Sequence, residues 1–163
     1  MKNNQNTRAS TTLYDFQYSN FQYSMTTNPY GRFNKPNWYE THLKQENISK
    51  KNKKISLMLL GDSIVAGLSR YHTVWKKYFN HYTVNCGIGG DRLQHTLWRS
   101  INLDIPDYVK SVFICCGTNN LDNDTTQDIV NGLLCIAFNM KKKKNDLNII
   151  ISGILPRDLH PSQ

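Results

Sequence analysis

Four short apolar runs alternate along this chain with longer stretches in which apolar residues recur at helical spacing. The runs lack a regular polar alternation, which is typical of strands that are covered on both faces. They are Ile55–Leu60, Tyr82–Cys86, Ser111–Cys116 and Asn148–Ile151. The stretches predicted to be helices are residues 64–79, 91–100 and 125–140. Because parallel neighbours need a crossover connection, this alternation predicts an α/β fold with three layers around a parallel sheet.

The first 54 residues have a different pattern. Residues 1–36 are rich in Asn, Thr, Tyr, Gln and Ser, and they are predicted to be a disordered tail because they carry too little apolar surface to offset the entropy of ordering. Asn37 followed by Glu40 resembles a capping box, which predicts a short helix over about residues 38–47. The domain organisation expected is therefore a tail (1–36), a helix with a basic linker (37–54) and one domain (55–163).

Most of the net charge of +8 lies in the N-terminal third. Residues 1–54 contain nine Lys or Arg against three Asp or Glu, whereas residues 55–163 contain eleven against nine. Such a basic tail could contact nucleic acid or an anionic membrane through nonspecific electrostatics. We favour a soluble linker, so a nucleic-acid partner is the weaker expectation.

The four cysteines show no zinc-type spacing and are expected to be buried and reduced. The chain does not open with a signal peptide, and no apolar run approaches the length needed to span a membrane. The expectation is a cytoplasmic protein without a membrane span, metal or cofactor.

Three polar or glycine-rich blocks stand directly after the first three predicted strands. They are Gly61-Asp62-Ser63, Gly87-Ile88-Gly89-Gly90-Asp91 and Gly117-Thr118-Asn119-Asn120. Ligands of such sheets bind beyond the carboxyl ends of the strands. There Ser63 would present a hydroxyl, Gly90 a backbone N–H without a Cβ in the way, and Asn119 a side-chain N–H₂. Each block alone is more simply a cap, a tight turn or an Asx turn, and Asp62 is assigned first to capping. Together they favour a serine nucleophile with oxyanion donors.

Several longer runs show that the chain resembles the SGNH (GDSL-type) hydrolases and, within them, the alpha subunits of platelet-activating-factor acetylhydrolase. The resemblance covers about residues 38–161. The runs that carry it are Leu60–Val65, Asn85–Asp91, His95–Arg99, Gly117–Asn120 and Gly153–Arg157. It implies a flavodoxin-like sheet and esterase chemistry on a small acyl ester such as an acetyl ester. It places the nucleophile on Ser63, and the oxyanion donors on the backbone N–H groups of Ser63 and Gly90 and the side chain of Asn119.

The chain departs from that family in one respect. The Asp-x-x-His block that supplies the family's acid and base has no match before Gln163, and His160 is a weak candidate for the base. We therefore interpret the sequence as a C-terminally truncated domain that is inactive or weakly active. We also expect it to self-associate, because its last strand would be left as an apolar edge. Two alternatives stay open: a catalytically silent binding module, and a nucleic-acid-associated esterase-like domain of a mobile-element protein.

Overall fold

A parallel sheet organises the part of the protein that the structure describes. The computed structural model describes residues 24–79 and 81–156. The four strands are β1 (Leu57–Gly61), β2 (Thr83–Gly87), β3 (Ser111–Cys115) and β4 (Asn148–Ile151). Their order is β2-β1-β3-β4, and every neighbouring pair is parallel. The predicted three-layer, flavodoxin-like α/β fold is confirmed.

Helices lie on both faces of this sheet. They are α1 (Trp38–Lys51), α2 (Ser63–Leu68), α3 (His72–Tyr78), α4 (Leu93–Asn102) and α5 (Thr126–Lys143). A capping box between Thr125 and Asp128 begins α5, and three lysines lie in its last turn, where cations favour the helix dipole.

Successive strand residues point to opposite faces, so the sheet has a core on each side. On one face Met58, Leu60 and Ile114 pack with residues of α4 and α5. On the other face Leu59 and Cys115 pack with residues of α2 and α3. The four cysteines are free and buried, and the adjacent Cys115 and Cys116 belong to different cores, as predicted.

One predicted helix is wrong. The stretch 64–79 forms two short helices, α2 and α3, separated by Ser69, Arg70 and Tyr71. The Ser69 hydroxyl donates to the Ala66 carbonyl, and the backbone N–H of Arg70 donates to Gly67. Ser69 and Gly67 favour a turn over a continued helix, and this local preference outweighs the apolar spacing.

The predicted disordered tail is also wrong for its last thirteen residues, whereas residues 1–23 lie outside the described part. Residues 24–36 include a 3₁₀ turn, Met25–Thr27, in which Thr26 is fully buried. The Thr26 hydroxyl donates to the carbonyl of Asp128 at 2.6 Å. Phe33 packs edge-on against the rings of Trp38 and Trp98. These contacts compensate for the shortage of aliphatic residues in the segment.

The start of α1 differs from the prediction in its geometry. Asn37 adopts the left-handed conformation (φ 60°) and makes no side-chain capping bond, so the predicted capping box does not form. The helix also runs through Lys51, and it takes in part of the predicted basic linker.

The strand β4 lies at an edge of the sheet within residues 24–79 and 81–156. Ile150 and Ile151 keep 52% and 39% of their surface exposed. None of the helices in these two ranges is both long and apolar enough to cross a bilayer.

Candidate active site

The three predicted blocks meet at one end of the sheet. Gly61 at the end of β1 is in register with Gly87 of β2 and with Cys115 of β3. Because the strands are parallel, the residues that follow them emerge on the same side. We call the resulting surface the rim, and define it as residues 61–63, 87–91 and 117–120.

The first block places a serine at the start of a helix. Ser63 is exposed and is the first residue of α2. Asp62 is the N-cap, and its Oδ1 accepts a hydrogen bond from the N–H of Ile64 at 2.9 Å, which confirms the capping role expected of this residue. The other oxygen, Oδ2, has no hydrogen-bond partner among the described residues. Burial, together with the nearby Asp91, raises the pKa of the Asp62 carboxyl above its usual range.

The glycine block lies directly against this serine. A Cβ built on Gly89 would lie 4.0 Å from the Cβ of Ser63. The next residue, Gly90, is exposed and has a φ of 76°, a conformation that side chains rarely adopt. A residue without a Cβ therefore turns the chain here, at an exposed position next to the glycine that contacts Ser63.

The third block is bonded to the second. Asn119 lies in a 3₁₀ turn (Thr118–Asn120), and its Nδ2 donates to the carbonyl oxygen of Asp91 at 2.8 Å. This bond fixes the plane of the Asn119 amide beside the glycine block and leaves the second amide proton for another acceptor.

Two main-chain contacts set the spacing of the rim. A Cβ on Gly61 would lie 1.9 Å from the carbonyl oxygen of Cys115, and one on Gly87 would lie 2.2 Å from the backbone nitrogen of Ala66. Both positions therefore exclude any side chain, so β1 approaches β3 and β2 approaches α2 backbone to backbone.

A buried ion pair under the rim was not predicted from the sequence. Arg99 and Asp91 are fully buried, with the Arg99 Nη1 3.2 Å from the Asp91 Oδ2. The Nη2 of Arg99 donates to the carbonyl of Cys86 and to the side chain of Gln45. Gln45 in turn donates to the carbonyl of Gly87, and Trp38 Nε1 donates to Asp91. Both members of this ion pair lie in runs that the sequence analysis singled out, Asp91 in the glycine block and Arg99 in the run His95–Arg99. That they pair with each other cannot be identified without the fold.

Asn120 is a second unpredicted supporting residue. It is fully buried, and its Oδ1 accepts from the N–H of Leu93 at 2.9 Å. Its Nδ2 donates to the carboxylate of Asp124 at 2.8 Å. Asn120 thus joins the loop after β3 to the start of α4.

Two cations reach the rim from the segment that was predicted to be disordered. Arg32 Nη1 donates to the carbonyl oxygen of Gly89 at 3.1 Å, and Lys35 Nζ donates to the same oxygen at 3.0 Å. Arg32 Nη1 also lies 3.3 Å from Asp91 Oδ1. No local motif marked these residues, because they contact the rim only through the tertiary fold.

The histidines occupy other surroundings. His42 is buried against Trp38 and Trp98, and burial, with the charge of Arg99, lowers its pKa to about 4. His95 accepts the N–H of Arg92 at its Nδ1, and burial, with the charge of Arg32, lowers its pKa to about 4. No hydrogen bond in the described ranges joins Ser63 to a histidine, and His160 lies outside those ranges. The same residues contain no cluster of three or more His, Cys, Asp or Glu side chains suited to a metal.

Comparison with known proteins finds relatives among the subunits of platelet-activating factor acetylhydrolase IB. The alpha2 subunit of platelet-activating factor acetylhydrolase IB from Homo sapiens is 32% identical over 114 residues, which cover 69% of this chain and 49% of that subunit. The alpha1 subunit from Rattus norvegicus is also 32% identical over 114 residues, covering 69% of this chain and 48% of that subunit. This chain spans about half the length of the curated relatives it matches. No protein-family model matches it.

A solved structure supports the fold. The Streptococcus pneumonia protein described as a platelet activating factor matches with a TM-score of 0.62 and 21% identity, over 76% of this chain and 57% of that one. The resemblance to SGNH (GDSL-type) hydrolases that was predicted from the sequence is confirmed, and the relatives support a hydrolase domain of this type.

Proposed function

We propose that the rim is the active site of an SGNH-type serine esterase. In this proposal Ser63 is the nucleophile, and the oxyanion donors are the backbone N–H groups of Ser63 and Gly90 and the side chain of Asn119. The observation that carries it is the register of the sheet, which brings the three blocks to one end, with Gly89 against Ser63 and Asn119 bonded to Asp91. The similarity to acetylhydrolase subunits supports the same chemistry.

The proposed reaction is acyl transfer through the serine. The Ser63 oxygen attacks the acyl carbonyl carbon, and the carbonyl oxygen becomes an oxyanion held by the three donors. Collapse of this intermediate breaks the ester C–O bond, releases the alcohol and leaves the acyl group on Ser63. Water then hydrolyses the acyl-enzyme. The serine proton has to pass to a base and on to the leaving alcohol.

A small acyl ester is the substrate class that we propose. The relatives named above are acetylhydrolases, which supports an acetyl group as the acyl part. Neither a metal nor a cofactor takes part in these steps.

We expect weak turnover from residues 1–163 alone. A serine hydroxyl without a neighbouring base is a poor nucleophile at neutral pH, and no histidine of the described part is hydrogen-bonded to Ser63. An enzyme that lacks a triad member keeps only about 10³–10⁴-fold acceleration over water, from the oxyanion hole and binding.

The test combines covalent labelling with turnover. A neutral fluorophosphonate should label Ser63 slowly, and mass spectrometry should locate the adduct on that residue. Ser63→Ala should abolish labelling, and Asn119→Ala should slow it by about 10²-fold because one oxyanion donor is lost. Labelling that is unchanged in Ser63→Ala would disprove the assignment. Rapid hydrolysis of acetyl esters that depends on Ser63 would contradict the expected weak turnover. It would show that a residue not hydrogen-bonded to Ser63 in this structure serves as the base.

One observation favours a second function. The rim is held by hydrogen bonds that do not involve Ser63, so it can bind an ester without turning it over. Saturable ester binding without Ser63-dependent labelling would favour this catalytically silent binding module.

A further inference from the structure

Two positive side chains lie beside Gly90. Arg32 and Lys35 both donate to the Gly89 carbonyl oxygen. A Cβ built on Gly90 would lie 3.2 Å from Arg32 Nη1 and 3.6 Å from Lys35 Nζ. The space beside the proposed oxyanion donor is therefore within reach of a guanidinium and an ammonium group.

The carboxylate that pairs with Arg32 is shared with a third cation, and Lys35 has no ion-pair partner among the described residues. Asp91 is the acidic partner of Arg32, but it also pairs with the fully buried Arg99. Lys35 is exposed, and no carboxylate in residues 24–79 and 81–156 forms an ion pair with it. Since like charges held at one oxygen repel each other, an additional anion at this position would relieve that repulsion.

The surplus positive charge acts on a neighbouring group. Burial is the main cause of the lowered pKa of His95, and the charges of Arg32, Arg92 and Lys35 lower it further. Three cations thus act on one ring beside the glycine block.

We infer that Arg32 and Lys35 form a subsite that binds a negatively charged group of the ester substrate. A phosphate or a carboxylate on the alcohol or acyl part fits, because a guanidinium can offer two parallel N–H donors and an ammonium adds a mobile one. This inference rests on the proposed function of the rim, and it narrows the substrate class to anionic esters.

A purely structural role, in which Arg32 and Lys35 only hold the glycine block in place, explains less of the geometry. One neutral donor would satisfy the Gly89 carbonyl, whereas the structure places two charged donors there, one of them on a long, exposed side chain. A second charged donor at an oxygen that one donor would satisfy is better suited to bind a ligand than to hold one carbonyl.

The experiment measures ester binding in the full chain carrying Ser63→Ala, so that no probe is consumed. Three short acetyl esters are compared by calorimetry: one neutral, one with a phosphate on the alcohol, and one with a carboxylate in its place. We expect an anionic ester to bind about tenfold more tightly than the neutral one. The phosphate and carboxylate arms show which anion is preferred. Lys35→Gln should reduce the preference severalfold, and Arg32→Gln with Lys35→Gln should reduce it to within about twofold.

The matched control is Lys53→Gln with Lys54→Gln. It removes the same charge from exposed residues that precede β1, at the opposite end of the sheet from the rim. The control variant should bind the anionic ester more tightly than the neutral one by the same factor as the chain that carries only Ser63→Ala. Equal binding of charged and neutral esters, a preference that survives the Arg32 and Lys35 double variant, or an equal loss in the control would overturn the inference. If the Arg32 variant fails to fold, Lys35→Gln alone decides, because Lys35 is exposed.

Failure of the inference can be distinguished from failure of the proposed function. The neutral fluorophosphonate probe reports on Ser63 without needing the cations. Labelling of Ser63 without any charge preference in binding would overturn only the anionic subsite, whereas absent labelling would overturn the proposed esterase site and the subsite with it.

Discussion

Arg99 shows how one side chain outside the predicted site can determine the shape of that site. It is fully buried, pairs with Asp91 and donates to the carbonyl of Cys86. Through these bonds it holds both ends of the glycine block that lies beside Ser63. Truncation of Arg99 would also leave the Asp91 carboxylate buried with less compensation.

We predict that Arg99→Met lowers the free energy of unfolding by about 3–5 kcal/mol, the usual cost of removing one member of a buried ion pair. Arg70→Met is the control, because Arg70 is exposed and its loss should change stability by no more than about 0.5 kcal/mol. Denaturant titration of both variants measures the difference. Equal unfolding midpoints would show that the buried pair contributes little.

At the scale of elements, β4 stands out because it ends the described sheet with apolar residues exposed. No described strand pairs with its outer edge, so N–H and C=O groups there can pair with another chain, and Ile150 and Ile151 add an apolar surface beside them. Strands with these properties pair readily between molecules.

We predict that the chain self-associates through β4 and that Ile150→Lys reduces this association, because a charge on an edge strand opposes pairing. Val130→Lys is the matched control, since it adds the same charge at an exposed position of α5. Light scattering across a concentration series should show smaller assemblies for Ile150→Lys only. A monodisperse monomer for the unaltered chain would refute this prediction.

The elements also show what sequence patterns can and cannot provide. The strands were predicted to within two residues at their ends, because buried parallel strands are short and continuously apolar. The division of residues 64–79 was missed, because a turn at Ser69 is a local effect that helical spacing does not register. The positions of Ser63, Gly90 and Asn119 followed from the strand ends alone. The contacts of Arg32, Lys35 and Arg99 with the rim were missed, since their partners lie eight or more residues away in sequence.

At the scale of the whole molecule, two buried histidines link stability to pH. His42 and His95 are almost inaccessible to solvent, and burial lowers the pKa of each to about 4 from a usual value near 6.5. Between these pH values the unfolded chain binds protons that the folded chain rejects. Their contribution to stability is complete above pH 6.5 and is lost as the pH falls toward 4.

We predict that stability falls on acidification from pH 7 to pH 5, with each of these histidines contributing on the order of 1–2 kcal/mol. His42→Phe keeps an aromatic ring against Trp38 and Trp98, and it should make the pH dependence shallower. His72→Phe, at an exposed position, should leave the slope unchanged. Unfolding by denaturant at several pH values gives both slopes. Equal slopes for His42→Phe and the unaltered chain would rule out His42 as a source.

The glycines at the strand ends have a consequence for redesign. Gly61 and Gly87 bring main chain against main chain, so the dimensions of the turn that carries Ser63 and of the glycine block cannot be changed by exchanging side chains in the core. Arg32 and Lys35, by contrast, belong to one short stretch that lies outside the sheet. Under the proposed anionic subsite, replacing that stretch should change which esters bind while the backbone of the rim keeps its dimensions.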